Sequence, residues 1–222
     1  MEKNIKKVVI FGTGSLAEIS NIYFTTDSDY EVVAFTKDKP EEKQFCNLPV
    51  IDFENVEKFY NPNEFHLFIP MSAKECNKIR KKKFEEGKGK GYYLTSYVSS
   101  KATILPESSI GENCFILENN VIQSFAKICD NVVMWSGNHI GHHSVIGKHC
   151  FLTSHVVISG RVTIGECCFF GVNSSVRDDI KIADDNIIGV NAVIMKSTKP
   201  GQVFAVKQTP VHPLCSDKIN LE

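Results

Sequence analysis

Five of the seven histidines lie between residues 139 and 155: His139, His142, His143, His149 and His155. Clustered imidazoles serve two kinds of chemistry. They bind metal ions, or they move protons near neutral pH, where a neutral ring is the best matched side chain. Which of the two applies depends on how the surrounding chain places the rings.

That chain is periodic. Written in sixes from Val98, it puts an apolar residue first every time: Val98, Ile104, Ile110, Ile116, Ile122, Ile128, Met134, Ile140, Ile146, Leu152, Ile158, Ile164, Phe170, Val176, Ile182, Ile188 and Ile194. A composition 42% hydrophobic would give about seven hits in seventeen, so chance is excluded. Four places on, the residue is usually small, as at Ala102, Cys114, Ala126, Ser144, Cys150, Cys168, Ser174 and Ala192. Glycine often follows the aliphatic, as at Ile140-Gly141 and Ile188-Gly189. Each six residues therefore form a short strand and a corner, and three sixes close one triangular coil of a parallel β-helix. Stacked coils are ~4.8 Å apart, so residues eighteen apart in sequence lie one above another.

This geometry decides between the two chemistries. A metal needs three ligands within ~2.1 Å of one ion, and no two of these histidines are eighteen apart. The expectation is no metal. General base catalysis fits better. His142 and His143 fall at a corner, and eighteen residues after His142 comes Gly160, whose backbone N–H lacks any covering side chain. A base beside an oxyanion-binding amide suits acyl transfer from a thioester.

Composition narrows the rest. With 25 basic and 26 acidic residues the net charge is −1, which gives no electrostatic basis for a nucleic-acid partner. No apolar run approaches a membrane span or a secretory core, so a cytoplasmic protein with no membrane partner is expected. Three of the eight cysteines fill the small-residue column, and all eight are expected as free thiols.

Upstream, Lys6 to Phe11 reads as a buried strand. It is followed by Gly12-Thr13-Gly14-Ser15-Leu16-Ala17 and a helix carrying Leu16, Ile19 and Tyr23. A strand, a glycine turn and a helix start leave N–H groups free for a phosphate. Strands are expected at Glu31 to Phe35, Phe65 to Ile69 and Tyr92 to Thr95. A further helix should carry Ala73, Cys76, Ile79 and Phe84, with Arg80-Lys81-Lys82-Lys83 as a solvated face. Gly87 to Gly91 reads as a flexible connector. The boundaries are an α/β Rossmann-like half-domain over 1–95, the β-helix of seventeen hexapeptides over 96–202, and a strand at Val203 to Val206 with a tail over 203–222.

The small α/β domain, a β-helix of this length and the string His142-His143-Ser144-Val145-Ile146-Gly147 resemble the PglD/NeuD-type sugar acetyltransferases of the hexapeptide-repeat superfamily. The resemblance implies a left-handed coil, acetyl-CoA as cosubstrate, a nucleotide-linked sugar as acceptor, and a homotrimer with active sites between subunits. By position, His142 matches the catalytic base and Gly160 the glycine that holds the thioester carbonyl. Gly12, Thr13, Gly14, Ser15, Thr36, Lys37 and Asp38 would take the nucleotide. Around the corner, Trp135, Asn138, His139, His143 and His155 would meet the sugar, with His155 able to serve a neighbouring subunit. For the CoA track the candidates are Gly189, Ala192, Lys196, Lys199 and Lys207. His143 stands where relatives often carry Glu, and Trp135 where some carry Asn. N-acetylation of an amino sugar is the leading expectation. O-acetylation of a sialic acid or polysaccharide and a non-catalytic trimeric nucleotide-sugar-binding module are the alternatives.

Overall fold

The computed structural model describes residues 5–219. Its N-terminal sheet starts with β1 (Lys6–Phe11), whose apolar run is buried from Val8 onward, as befits a strand covered on both faces. Helix α1 (Ser15–Thr26) follows, then β2 (Tyr30–Lys37), β3 (Gln44–Phe45), β4 (Leu48–Asp52), the short helix α2 (Val56–Phe59), β5 (Phe65–Phe68) and α3 (Lys78–Gly89). The strand order is β3-β4-β2-β1-β5, parallel throughout except for the β3–β4 hairpin. No helix among the described residues is long and apolar enough to cross a membrane.

Three expectations for this region are corrected. Gly87 to Gly89 belong to α3, and glycine at 87 lets that helix lie close on the sheet, since a Cβ there would stand 3.0 Å from the side chains of Leu67 and Ile69. The expected strand at Tyr92 to Thr95 reduces to a single bridge between Leu94 and Leu67. Ala73 and Cys76 lie before the helix, in a segment where Glu75, Cys76 and Asn77 are left-handed.

From β6 (Tyr97–Val98) to β22 (Val193–Ile194), a two-residue strand recurs every six residues, each ending on the apolar column. From β6 to β19 every strand pairs in parallel with the one eighteen residues on, as His139 does with Val157 and Val145 with Thr163. The strands therefore form three stacked sheets around a core of inward aliphatics and small corner residues. A last strand, β23 (Val203–Phe204), pairs with Ile187–Ile188.

The corners reveal a second column. Every sixth residue from Glu107 to Asn191 has positive φ, and the column is rich in Asn, Asp and His. These are the side chains that best tolerate left-handed backbone. His143, His149 and His155 all occupy it, with φ of 58, 62 and 59°. Part of the histidine clustering is thus a demand of the corner.

One face of the coil is covered. Its outward residues Tyr97, Phe115, Val133, Phe151 and Phe169 pack against Ile10, Phe24 and Phe68 of the N-terminal domain. Two polar clamps secure the contact. Asp27, at the end of α1, accepts hydrogen bonds from Ser100 N (2.9 Å) and Tyr97 Oη (2.7 Å), and hydrogen bonding from Ser100 first and Tyr97 second holds its carboxyl down at about 2. On the other side Arg80 is fully buried and donates to the carbonyls of Asn131, His149 and Cys150. The expected solvated face is therefore half wrong. Arg80 and Lys83 are buried, and Lys83 is held by Asp38 and Glu86 while lying over the Phe53 ring.

Candidate active site

His142 and His143 sit at the corner between strands His139–Ile140 and Val145–Ile146, and both are exposed. The His142 backbone N–H donates to Gln123 Oε1 at 2.9 Å, and its carbonyl accepts Arg161 N at 2.9 Å. Those bonds fix the backbone from which the ring projects. One coil on, a Cβ placed on Gly160 would lie 2.8 Å from both Nε2 and Cε1 of the His142 ring. The imidazole thus fills the space that any other residue at 160 would need. Among the described residues nothing accepts the Gly160 N–H. Several corner amides are left to solvent in this way, but this one has no side chain and stands beside an imidazole. A carbonyl oxygen bound there would carry its developing charge within reach of the ring.

The ring is oriented by its neighbour. His142 Nδ1 lies 3.1 Å from His143 Nδ1, and the His143 ring stacks on Phe125 at 4.7 Å with 28° between planes. Phe125 is eighteen residues from His143 in the left-handed column, so the two stand one above the other, whereas the contact between the two imidazoles depends on ring orientations.

The other histidines separate. His139 points outward between Val121 and Val157, half-buried. His155 is exposed at the preceding corner, its ring against Gly137, where φ is +80° and a Cβ would lie 2.5 Å from Nδ1. His149 is buried at the corner under α3. Its Nδ1 meets Asn131 Nδ2 at 2.8 Å, and its ring faces Phe84. Burial, with the Arg80 charge second, pushes this imidazole down to about 4, so it is neutral in the fold. No group of three or more His, Cys, Asp or Glu among the described residues is arranged to hold a metal.

Two expected contacts turn inward. Asn138 is buried, spending its amide on Trp135 O and Val156 N. Thr36 is buried with Oγ1 on Ile51 O at 2.8 Å. Neither side chain is available to a ligand. Trp135 is half-buried against the N-terminal domain. At the glycine turn, Gly12 N–H donates to Thr36 O, and Gly14 precedes α1 with open space where a side chain would be. Ser15 is exposed at the helix start. Lys37 is engaged by both oxygens of Glu42, at 2.9 and 3.0 Å. Hydrogen bonds from Thr13 and then Lys37 hold the Glu42 carboxyl down at about 2. Glu42, which the sequence reading missed, is brought beside the glycine turn by the loop between β2 and β3. Asp38 pairs with Lys83.

At the far end of the coil, Ala192 is buried in the small-residue column. The room left by Gly189 is taken by the Phe204 carbonyl, 2.6 Å from the place of a Cβ. Gly189 thus admits the close approach of β23, while Ala192 packs into the core of the coil. Lys196, Lys199 and Lys207 are exposed, and no carboxylate among the described residues pairs with them.

No protein-family model matches the chain. Among curated proteins it is similar to a probable UDP-3-O-acylglucosamine N-acyltransferase 2, mitochondrial, of Arabidopsis thaliana, 36% identical over 93 residues, 41% of this chain and 29% of that one. It is also similar to an acyl-[acyl-carrier-protein]–UDP-N-acetylglucosamine O-acyltransferase of Burkholderia lata, 27% identical over 74 residues, 33% of this chain and 28% of that one. The chain thus spans less than a third of the length of these curated relatives. Likeness to solved structures is far more extensive. The acetyltransferase domain of PglB from Neisseria gonorrhoeae superimposes with a TM-score of 0.80 at 21% identity, over 89% of this chain and 95% of that one. PerB from Caulobacter crescentus, in complex with CoA and GDP-perosamine, gives 0.77 at 22%, over 88% and 91%. WeeI from Acinetobacter baumannii gives 0.74 at 19%, over 89% and 95%. In architecture the chain is of one kind with these proteins, and the likeness is one of fold.

Proposed function

We propose that this chain is an acetyl-CoA-dependent acetyltransferase, acting on the amino group of a nucleotide-linked amino sugar, with His142 as general base. The observation that carries the proposal is the His142 imidazole packed over Gly160, whose N–H has no partner among the described residues. An amine attacking a thioester must lose a proton before the adduct collapses forward. His142 Nε2 takes that proton, and the Gly160 amide holds the negative charge on the carbonyl oxygen. The fold shared with PerB, whose structure holds CoA and GDP-perosamine, supports the substrate classes. The glycine turn at Gly12 to Ser15 would receive the nucleotide at the start of α1. Lys196, Lys199 and Lys207 are available for the phosphates of CoA, and no resident metal is required.

The assembly is read as a homotrimer of left-handed coils in the cytoplasm. His142 lies on a convex corner, whereas a bound ligand needs walls on several sides. The outward valines of the neighbouring face, Val157 at 42% and Val193 at 63% exposure, are the surface a second copy would cover. His155, on the corner before that face, would then approach a neighbour's site.

The test is incubation with acetyl-CoA and a panel of sugar nucleotides while following free thiol. Thiol release that depends on an amino-sugar nucleotide is expected. Release with hydroxyl acceptors alone would assign O-acetylation instead, and no release with any acceptor would leave a binding module.

A further inference from the structure

We infer that His143 is a positioning residue, which fixes the tautomer of His142 through an imidazole–imidazole hydrogen bond and is itself clamped by the Phe125 ring. The inference rests on the reading of His142 as the base. It begins from the 3.1 Å separation between the two Nδ1 atoms, which admits only one hydrogen between them. One ring donates and the other accepts. The edge of His142 turned to Gly160 carries Nε2 and Cε1, so Nε2 is the nitrogen that faces the acyl group. A base acting through Nε2 must hold its own proton on Nδ1. His143 Nδ1 is then the acceptor, and the His143 proton resides on Nε2.

A second observation concerns Phe125. A bulky side chain with φ of 64° is a conformational outlier, and this one is 54% exposed. Nothing in the core calls for it. What it does is lie face to face with the His143 ring, one coil below. The His143 backbone is fixed as well, at φ 58° with its N–H on Ser124 O. The ring therefore has little freedom to leave Nδ1 of His142.

The surrounding charges define the electrostatic character of the pair. Gln123 below is neutral. Arg161, one coil above in the same column, is bound by Asp179 at 2.5 Å with Asp178 at 3.8 Å, and Arg177 lies 3.9 Å from Asp178. No carboxylate among the described residues contacts either imidazole. The acceptor behind the base is thus a neutral ring. During transfer, His142 Nε2 takes the amine proton as the N–C bond forms. The Nδ1–H stays on His142, donated to His143, and the Nε2 proton passes to the sulfur as the C–S bond breaks. No net proton comes to rest on His143. A carboxylate at 143 would stabilise the imidazolium more strongly and would shift the rate profile to higher pH.

The variants are chosen from residues that the same column already tolerates at this corner, Phe125 and Glu107. With histidine-selective 15N labelling and no substrate, at alkaline pH, wild-type His142 should show its proton on Nδ1. In His143→Phe it should move largely to Nε2, the commoner free tautomer. In turnover, His143→Phe should lose roughly tenfold in kcat with KM for acetyl-CoA unchanged. His143→Glu should recover kcat, with the rising limb of the pH profile displaced by roughly one unit or more to the alkaline side. An unchanged tautomer in His143→Phe, or a His143→Glu profile superimposable on wild type, would overturn the inference. Full activity in His142→Asn would overturn the base assignment instead, and the NMR readout would still report on the pair.

Discussion

His142 and His149 are seven residues apart, in consecutive hexapeptides, and each stands at a corner of the same prism. They have opposite fates. The corner at His149 is roofed by α3, and its polar groups are consumed there. Asn131 serves His149 and Asn113, while Arg80 serves three carbonyls. The corner at His142 has no roof, and its ring meets only a neighbouring ring and a bare amide. The repeat builds the two corners alike, but His149 occupies the left-handed position and His142 the one before it, and only the corner at His149 is covered. A histidine neutralised by burial is a structural part, whereas an exposed one beside a free N–H is the one to which the proposed function gives the chemistry.

The comparison breaks most visibly if the exposed corner is dispensable. His142→Asn should lower kcat by ~10²–10⁴, the usual worth of a general base, and leave acetyl-CoA affinity and melting temperature near wild type. Steady-state kinetics with a thermal melt decides it. The roofed corner should give the converse. Arg80→Leu leaves the Asn131, His149 and Cys150 carbonyls without their donor, which should cost about 2–4 kcal/mol. Chemical denaturation should show that loss, while kcat of the folded fraction stays close to wild type.

The sequence made the coil legible because its signal is local and repeated: an aliphatic every sixth residue specifies each strand and its inward face. Stacking at eighteen then turned His142 and Gly160, far apart in sequence, into neighbours. The left-handed column was equally readable, as Asn113, Asn119, Asn131, Asn173 and Asn191, yet it was overlooked, so three of the five clustered histidines were given no structural reason. Misreadings came where tertiary contact overrides local character. Arg80 belongs to a charged run and looks solvated, but the aromatic outward residues Tyr97, Phe115, Phe151 and Phe169, on one face only, announce a covering domain. Glu42 lies five residues beyond the end of β2, in a loop whose path back to Lys37 no periodicity encodes. His143 as partner to His142 depended on ring orientations that no spacing encodes.

A smaller effect separates the corners by pH. Burial holds His149 down at about 4 in the folded chain, against 6.5 for an ordinary histidine. The unfolded chain therefore binds the proton first. Above pH ~6.5 the group contributes nothing to pH dependence. As pH falls from there toward 4, stability should drop by roughly 3 kcal/mol from this residue. His149→Asn, which suits the left-handed backbone and cannot titrate, should flatten that part of the curve. Denaturation midpoints between pH 7 and 4.5 test this, and equal slopes for both proteins would return His149 to the exposed class.

The subtlest contrast is between two glycines that each accommodate an imidazole. Gly137 has φ of +80° and the His155 ring against it, whereas Gly160 has no such backbone demand. Gly137→Ala should therefore cost stability, about 1 kcal/mol for the left-handed backbone alone. Gly160→Ala should cost little stability, because the His142 ring is exposed and can swing aside to admit the methyl. In swinging it must leave His143 Nδ1 and the line to the acyl carbon, and misplacement of a base by about 1 Å is enough for a loss on the order of 10–10² in kcat. Melting temperature and kcat measured on both variants give a crossed pattern, with Gly137→Ala less stable and Gly160→Ala slower. If Gly160→Ala melted early and turned over at the wild-type rate, the ring would be resting on the glycine for packing alone.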